Sequence, residues 1–475
     1  MNFFQMPKLT IGNTTLTLPI VQGGMGVGIS LSRLASAVAN EGGIGVIAAN
    51  AIGMIEPDYR TNGREANIRA LRNEIRKAKT NSKGAIGVNL MVAVNNFQDM
   101  LAVTMEEKAD FVFLGAGLPI KNIPVKELRA AGVKVVPIVS SGRAAKLIFK
   151  SWEKNYNDIP DAVVVEGPKA GGHLGFSIEQ LNDPAYSLNA IVPEVVNEIA
   201  LFESSFKRKI PVIAAGGIFT GNDIYDFLKL GASGVQMATR FVATDECDAD
   251  RKFKESYVSC KESDLTIIKS PVGMPGRAIK NTFLENAASG IKAKFRCPWR
   301  CLASCEAAES NYCISEALDN ARRGELDKGF AFAGSNAWMV NRIMPVKELV
   351  SSLKSEYETA KIKAMTSFVD DYKKFKEKIG GFMDNYGTLI GARFANMKTD
   401  YDEAVEMASI MKREYEIAIE ERFYAFKEDY EQRILSIKED YEAALEKAAL
   451  LKEEFTKKFK ELTEQIQSYG LISER

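Results

Sequence analysis

PVIAAGGIFTGNDIYDFLKLGASGVQMATRF, Pro211 to Phe241, holds one complete architectural unit. An apolar, β-rich run, PVIAA, ends on a glycine pair. TGNDIYDFLKLG follows, with apolar residues at helical spacing. A second apolar run, GVQM, then passes into the more polar ATRF. Strands that are apolar at nearly every position are buried on both faces, as in a parallel sheet. A helix between two such strands is the crossover that parallel pairing requires.

The same unit recurs through the first two-thirds of the chain. Strand runs begin at Leu18 (LPIVQGG), Gly43 (GIGVIAAN), Ala85 (AIGVNLM), Phe111 (FVFLGAG), Lys134 (KVVPIVSS) and Asp161 (DAVVVEGP). With the two at Pro211 and Gly234 they number eight. Helical patterns such as SLSRLASAVANEG lie between them, and another, around DADRKFKESYV, follows the eighth. Eight β-α units predict an α/β fold, a closed (β/α)8 TIM barrel. An open doubly wound sheet is the alternative. Glycine-rich and polar residues recur at the strand ends, and a barrel gathers those ends around one mouth.

Beyond the barrel, assigned to residues 1–265, the pattern changes. Residues 266–350 form a less regular segment that contains SPVGMPGRAIKN, a cysteine cluster and GFAFAGSNAW, and is expected to pack on the barrel. Residues 351–475 read as a helical or coiled extension. Its aromatics are Tyr357, Tyr372, Tyr386, Tyr401, Tyr415, Tyr430, Tyr441 and Phe455, spaced by 15, 14, 15, 14, 15, 11 and 14 residues. Four helical turns take about 14.4 residues and three about 10.8, so these side chains return to one helix face. The period exceeds a strict heptad and disfavours a left-handed two-stranded coiled coil. The helices are expected to pack on each other, on the barrel or on a second copy of the chain.

Composition excludes several classes of function. Lys and Arg total 62, and so do Asp and Glu, which gives no basic footprint for nucleic acid or a membrane surface. No apolar run approaches a membrane span, and MNFFQMPKLTIGN lacks the pattern of a signal peptide. The six cysteines therefore read as reduced thiols or metal ligands rather than a disulfide framework, and the expected location is the cytoplasm.

Three strand-end turns are candidates for holding a phosphorylated ligand: QGGMG (Gln22–Gly26), AAGGI (Ala214–Ile218) and MATRF (Met237–Phe241). Glycine lets backbone amides approach a ligand closely, and the loops after the seventh and eighth barrel strands commonly bind phosphate. The one histidine of the 475 residues, His173, lies in VEGPKAGGHLGF after the sixth strand. That loop has almost no apolar flank with which to bury a ring. An imidazole there, at the barrel mouth, reads as a proton acceptor or substrate polariser. Glu166, seven residues earlier, reads as a group that orients the loop or the ligand, with a second base as the alternative.

QGGM, GVNLM, EGPKAGGHLGF, IPVIAAGGI and GVQMATRF together resemble the nitronate monooxygenase family, also called 2-nitropropane dioxygenase, across roughly Leu18 to Arg342. The resemblance implies a barrel that binds FMN non-covalently, through Gly24, Met25, Asn89, Gly172, Gly216, Gly217, Ala238 and Thr239. It also implies His173 as the catalytic base, in an oxidation of alkyl nitronates to a carbonyl compound and nitrite with oxygen. The related enoyl-ACP reductase II shares a similar AGGH turn, so NAD(P)H-dependent reduction of enoyl thioesters is the alternative. A docking protein with a degenerate barrel is a third reading, which the intact strand-end motifs oppose. The partner in either enzyme reading is a small-molecule substrate, with NAD(P)H added in the second.

FRCPWRCLASCEAAESNYC spaces Cys297, Cys301, Cys305 and Cys313 as C-x3-C-x3-C-x7-C. Four thiolates this close can hold an iron–sulfur cluster or zinc, although the spacing matches neither a CxxC knuckle nor a ferredoxin run. Reduced structural cysteines are the other reading.

Overall fold

The computed structural model describes residues 5–293, 295, 297, 301, 302, 305 and 309–364, with scattered helical positions between 432 and 461. The chain divides into two compact units, Met1–Lys361 and Ile362–Arg475. The first opens with an antiparallel hairpin, β1 (Leu9–Ile11) and β2 (Thr14–Leu16). Six barrel strands follow: β3 (Ile20–Gln22), β4 (Ile44–Ala48), β5 (Ala85–Met91), β6 (Phe111–Gly115), β7 (Lys134–Val139) and β8 (Val163–Glu166). After the short β9 (Gly172–His173) come the last two, β10 (Val212–Ala215) and β11 (Gly234–Met237). The eight pair in parallel and close, β11 returning to β3 with Gln236 beside Val21. The eight apolar runs read from the sequence are these eight strands.

Connecting helices cover the outside, among them α1 (Ser32–Asn40), α2 (Tyr59–Asn81), α3 (Phe97–Glu106), α4 (Val125–Ala131), α5 (Gly142–Tyr156), α6 (Leu188–Phe206) and α7 (Gly221–Lys229). A capping box starts α7: Thr220 and Asp223 satisfy each other's backbone amides. Inside, Val21, Val46, Phe111, Phe113, Val136, Val164 and Ile213 fill the tube. Leu9, Ile11 and Leu16 of the hairpin join that core and plug its N-terminal end. The interior is therefore a packed core, and a ligand can enter only at the C-terminal strand ends. One approach is too close for any side chain. A Cβ on Gly45 would stand 1.8 Å from the Ala35 carbonyl oxygen, so α1 rests directly on β4.

After β11 the chain forms the short α8 (Thr239–Val242) and α9 (Arg251–Val258), then β12 (Leu265–Lys269) and β13 (Pro275–Ile279). These two strands pair antiparallel, and β13 pairs with β9, which ties this segment to the histidine loop. The helices α10 (Thr282–Ala288) and α11 (Ile314–Arg322) follow. Phe283, Tyr312 and Phe330 make a second aromatic core beside them, with Phe283 and Phe330 stacked at 6.1 Å.

A helix over 346–364 closes the first unit. Leu353 and Tyr357 are buried in it, Tyr357 edge-on to Tyr225 at 5.8 Å, and Glu356 accepts the Gly221 amide at 2.7 Å. The compact unit thus runs on to Lys361, past the change in composition at Ser351. In the second unit the described positions from 432 to 461, such as Leu435, Glu446 and Leu450, are helical and exposed. Tyr372, Tyr386, Tyr401, Tyr415, Tyr430, Tyr441 and Phe455 of the aromatic repeat lie outside the described residues. Among the described residues no helix is long and apolar enough to cross a membrane.

A chain ending at Lys361 is expected to melt as the full chain's first unit does. One ending at Val350 loses Leu353, Tyr357 and the Glu356 bond, a cost of at least about 3 kcal/mol on the scale of large core deletions. Thermal unfolding of the two truncations compares them directly.

Candidate active site

The C-terminal ends of β8, β10 and β11 surround a cavity of about 470 Å³ that is open to solvent. Its wall includes Glu166, Gly171, Gly216, Gly217, Ala238 and Thr239. Gly216 and Gly217 have φ of +94° and +85°, a region that side chains disfavour. A Cβ on Gly216 would meet the Gly167 carbonyl at 2.8 Å, and one on Gly217 the stem of Lys169 at 2.8 Å. Among the described residues, the amides of both glycines donate to no acceptor. A turn that glycine alone adopts readily, with its N–H groups unspent at a cavity wall, suits an anionic oxygen. Arg240 adds a cation at the same strand end, its guanidinium 4.5 Å over the Phe219 ring. Its Nε is buried with no hydrogen-bond partner among the described residues, and burial lowers its proton affinity.

Residues 334–336 clasp these turns together from outside the barrel. The Asn336 side-chain amide donates to the Gly217 carbonyl at 2.7 Å. Gly334 N donates to Thr239 Oγ1 at 3.0 Å, and Ser335 N to the Lys169 carbonyl at 3.1 Å. Three consecutive residues thereby join the loops after β8, β10 and β11. GFAFAGSNAW was visible as a motif, but nothing local in it names these distant partners.

The other candidates occupy neighbouring ground. Gly24, after β3, packs on Asn89 of β5 so closely that a Cβ would stand 2.4 Å from the Asn89 Cβ. Met25 follows, its amide donating to Ser30 Oγ at 2.9 Å. None of these three lines the cavity at the ends of β8, β10 and β11; Gly24 and Met25 follow β3, the neighbour of β11, and Asn89 stands across the mouth on β5. Gly172 and His173 form β9, directly after the cavity-lining Gly171. All eight cofactor candidates and His173 are half-buried.

The His173 ring is more enclosed than its glycine-rich loop suggests, because its shell comes from elsewhere in the chain. Its Nε2 lies 2.7 Å from Ser270 Oγ, and Phe332 meets the ring edge-on at 5.0 Å. This burial pulls its pKa down to about 4, so the imidazole is neutral around pH 7. Burial acts on Glu166 in the opposite sense, raising it to about 7, with no cation among the described residues placed to offset it.

The cysteines lie beside this mouth. Leu302 bridges Val94 after β5, and Asn95 N donates to the Cys301 carbonyl at 3.1 Å. Cys297, Cys301, Cys305 and Cys313 are free and half-buried. Burial pushes the Cys313 thiol up to about 11 and raises that of Cys301. Among the described residues no group of three or more His, Cys, Asp or Glu side chains is placed to hold a metal ion. The expectation of zinc or an iron–sulfur cluster gains no support from this arrangement.

Comparison with known proteins agrees with the geometry. The family model described as nitronate monooxygenase matches residues 8–356. A probable nitronate monooxygenase of Staphylococcus aureus is 27% identical over 310 residues, 57% of this chain and 78% of that protein. A Rhodococcus jostii protein named (3aS,4S,5R,7aS)-5-hydroxy-7a-methyl-1-oxo-octahydro-1H-indene-4-carboxyl-CoA dehydrogenase is 29% identical over 269 residues, 57% of this chain. The match spans 64% of that relative's length. Among solved structures, FabK from Thermotoga maritima superposes with a TM-score of 0.58 at 28% identity, over 74% of this chain and 96% of FabK. A nitroalkane oxidase from Streptomyces ansochromogenes, at 23% identity and a TM-score of 0.57 over 74% of this chain and 98% of its own, shares the fold.

Two predictions follow from the cavity wall. Asn336→Ala frees the Gly217 carbonyl and loosens the turn, so FMN affinity should fall about tenfold, the worth of a hydrogen bond of about 1–1.5 kcal/mol. Titration of FMN fluorescence against apoprotein measures it. Glu166 carries a folded pKa above its unfolded value, so its contribution is present at low pH and lost as pH rises through about 7. Glu166→Gln should therefore raise the melting temperature of the apoprotein by a few degrees on the alkaline side of that value. The gain should shrink toward the ordinary carboxylate range, and equal gains at both ends would refute the burial argument.

Proposed function

The chain belongs to the nitronate monooxygenase family of flavin-dependent oxidoreductases, and from that premise we propose that it oxidises alkyl nitronates and nitroalkanes to a carbonyl compound and nitrite. The observation that carries this reading is the neutral, enclosed imidazole of His173, two residues beyond the cavity wall.

The residues fit FMN as its resident cofactor. The glycine turn at 216–217, with Ala238 and Thr239 facing it across the cavity, would take the phosphate end. Gly24, Met25, Asn89 and Gly172 would supply contacts farther along the mouth. When bound, FMN supplies the electron-accepting chemistry that no side chain offers. The chain's own task is the proton. His173 accepts the α-proton of a neutral nitroalkane at a ring nitrogen and leaves the nitronate anion; two nitronates and one molecule of oxygen then balance to two carbonyl compounds and two nitrites. The neutral state of the ring keeps it ready to accept without first losing a proton. A preformed nitronate has no α-proton and makes no demand on this group.

A second reading, NAD(P)H-dependent reduction of an enoyl thioester, is favoured by the likeness to FabK and by the coenzyme A ester in the name of the Rhodococcus relative. In that reading His173 orients or protonates the substrate. Turnover of a nitronate under oxygen, set against NADH and NADPH oxidation by anaerobic protein, separates the two.

His173→Asn keeps the approximate shape of the ring without a base. Nitroalkane turnover should fall by about 10²- to 10⁴-fold, the usual worth of a positioned general base. Turnover of the preformed nitronate should fall far less, and FMN should stay bound. Equal losses on both substrates would make the histidine a packing residue.

A further inference from the structure

The turn between β12 and β13 lies outside the barrel, yet it grips the histidine loop at several points. Gly276 pairs with His173 and Arg277 with Gly172. Leu174 N donates to the Pro275 carbonyl at 2.8 Å. Arg277 Nη1 donates to the carbonyls of Pro168 and Ala170, both at 2.6 Å. The ring itself is met by Ser270, whose residue is 3% exposed and whose Oγ stands 2.7 Å from Nε2. Ser270 is in turn fixed by its own turn. Its amide donates to the Met274 carbonyl at 3.1 Å, its carbonyl accepts from Gly273 N at 3.0 Å, and Val272 N reaches its Oγ at 3.4 Å.

We infer that Ser270 is a positioning residue that fixes the tautomer of His173, taking the Nε2 proton on its hydroxyl oxygen so that Nδ1 is the basic atom of the ring. A neutral imidazole carries its proton on one nitrogen only, and the hydrogen bond made by one nitrogen decides the role of the other. A proton on Nδ1 would find no acceptor among the described residues, whereas one on Nε2 faces Ser270 Oγ. Ser270 Oγ already accepts from the Val272 amide and keeps a second lone pair for Nε2–H, and its own hydrogen can rotate about the Cβ–Oγ bond whereas the ring hydrogen is fixed. Phe332 packs edge-on against the ring at 5.0 Å. When Nδ1 takes a proton, the Nε2–H bond to Ser270 becomes charge-assisted and strengthens as the imidazolium forms. The catalytic consequence rests on the reading of His173 as the base, but the tautomer itself does not.

Because the chain has a single histidine, protein labelled with ¹⁵N-histidine gives an imidazole spectrum of that residue alone. Long-range ¹H–¹⁵N correlation spectra of the flavin-loaded full chain at neutral pH should show a protonated Nε2 and an unprotonated Nδ1. Ser270→Ala should move both nitrogens toward averaged shifts, and Ser270→Thr, which keeps the hydroxyl, should restore them. In turnover, Ser270→Ala should lower the nitroalkane rate by about 10- to 100-fold, the usual loss when the partner of a functional histidine is removed. The rate on preformed nitronate should change little. A wild-type ring protonated on Nδ1, or an unchanged spectrum in Ser270→Ala, overturns the assignment. Spectra as expected, from a wild-type protein inert toward nitroalkanes, support the tautomer and defeat the base reading. Should Ser270→Ala melt early, the wild-type and Ser270→Thr spectra still decide.

Discussion

Val235, Gln236 and Met237 lie in register beside Ile20, Val21 and Gln22, and this last parallel ladder turns an open sheet into a tube. The amide of Gly23 then donates to the Met237 carbonyl at 2.8 Å, so the first and last strand ends are joined at the mouth itself. Because the tube is filled by Phe111, Phe113 and their neighbours and plugged below by the hairpin, it offers a ligand no second entrance. Residues that are hundreds of positions apart thereby share one rim. The shape of that rim is decided by backbone more than by side chains, through glycine turns where no Cβ fits.

The barrel alone leaves the rim unfinished. The chain that follows β11 returns over the mouth and supplies what the strand ends lack. Residues 334–336 hold three loops at once, Arg277 holds two further carbonyls of the loop after β8, and Phe332 with Ser270 encloses the histidine. That enclosure changes the chemistry. Away from water the charged forms of both Glu166 and His173 are disfavoured, which leaves a carboxyl that titrates at about 7 and a neutral imidazole close together in the chain. A polar loop of ordinary residues becomes an enclosed one because of what is laid over it.

The parts of this arrangement written locally were readable from the chain. Strands buried on both faces are spelled as unbroken apolar runs, and all eight stood out for that reason. Gly216 and Gly217 were legible because a glycine pair at a strand end has few other uses, and His173 because no other histidine competed with it. What stayed hidden was pairing across distance. Ser270 is an ordinary serine in SPVGMPGR, and Asn336 an ordinary asparagine in GSNAW, until the fold sets them against residues about a hundred positions earlier. Cysteine spacing was equally plain, but spacing cannot say whether four thiols converge. The extension was misleading in a smaller way: its helical composition begins at Ser351, while its first turns, carrying Leu353 and Tyr357, are buried as part of the barrel's unit.

The clasp over the cavity also imposes an order on synthesis. Every strand of the tube has left the ribosome long before Asn336 exists, so a nascent chain can complete its core while the turns at 216–217 and 239 still lack their restraint. The last structural element of the site to be made is therefore the one that locks it. A chain broken off between β11 and residue 334 would hold every strand of the tube under a slack rim, and would also lack the helix that buries Leu353 and Tyr357.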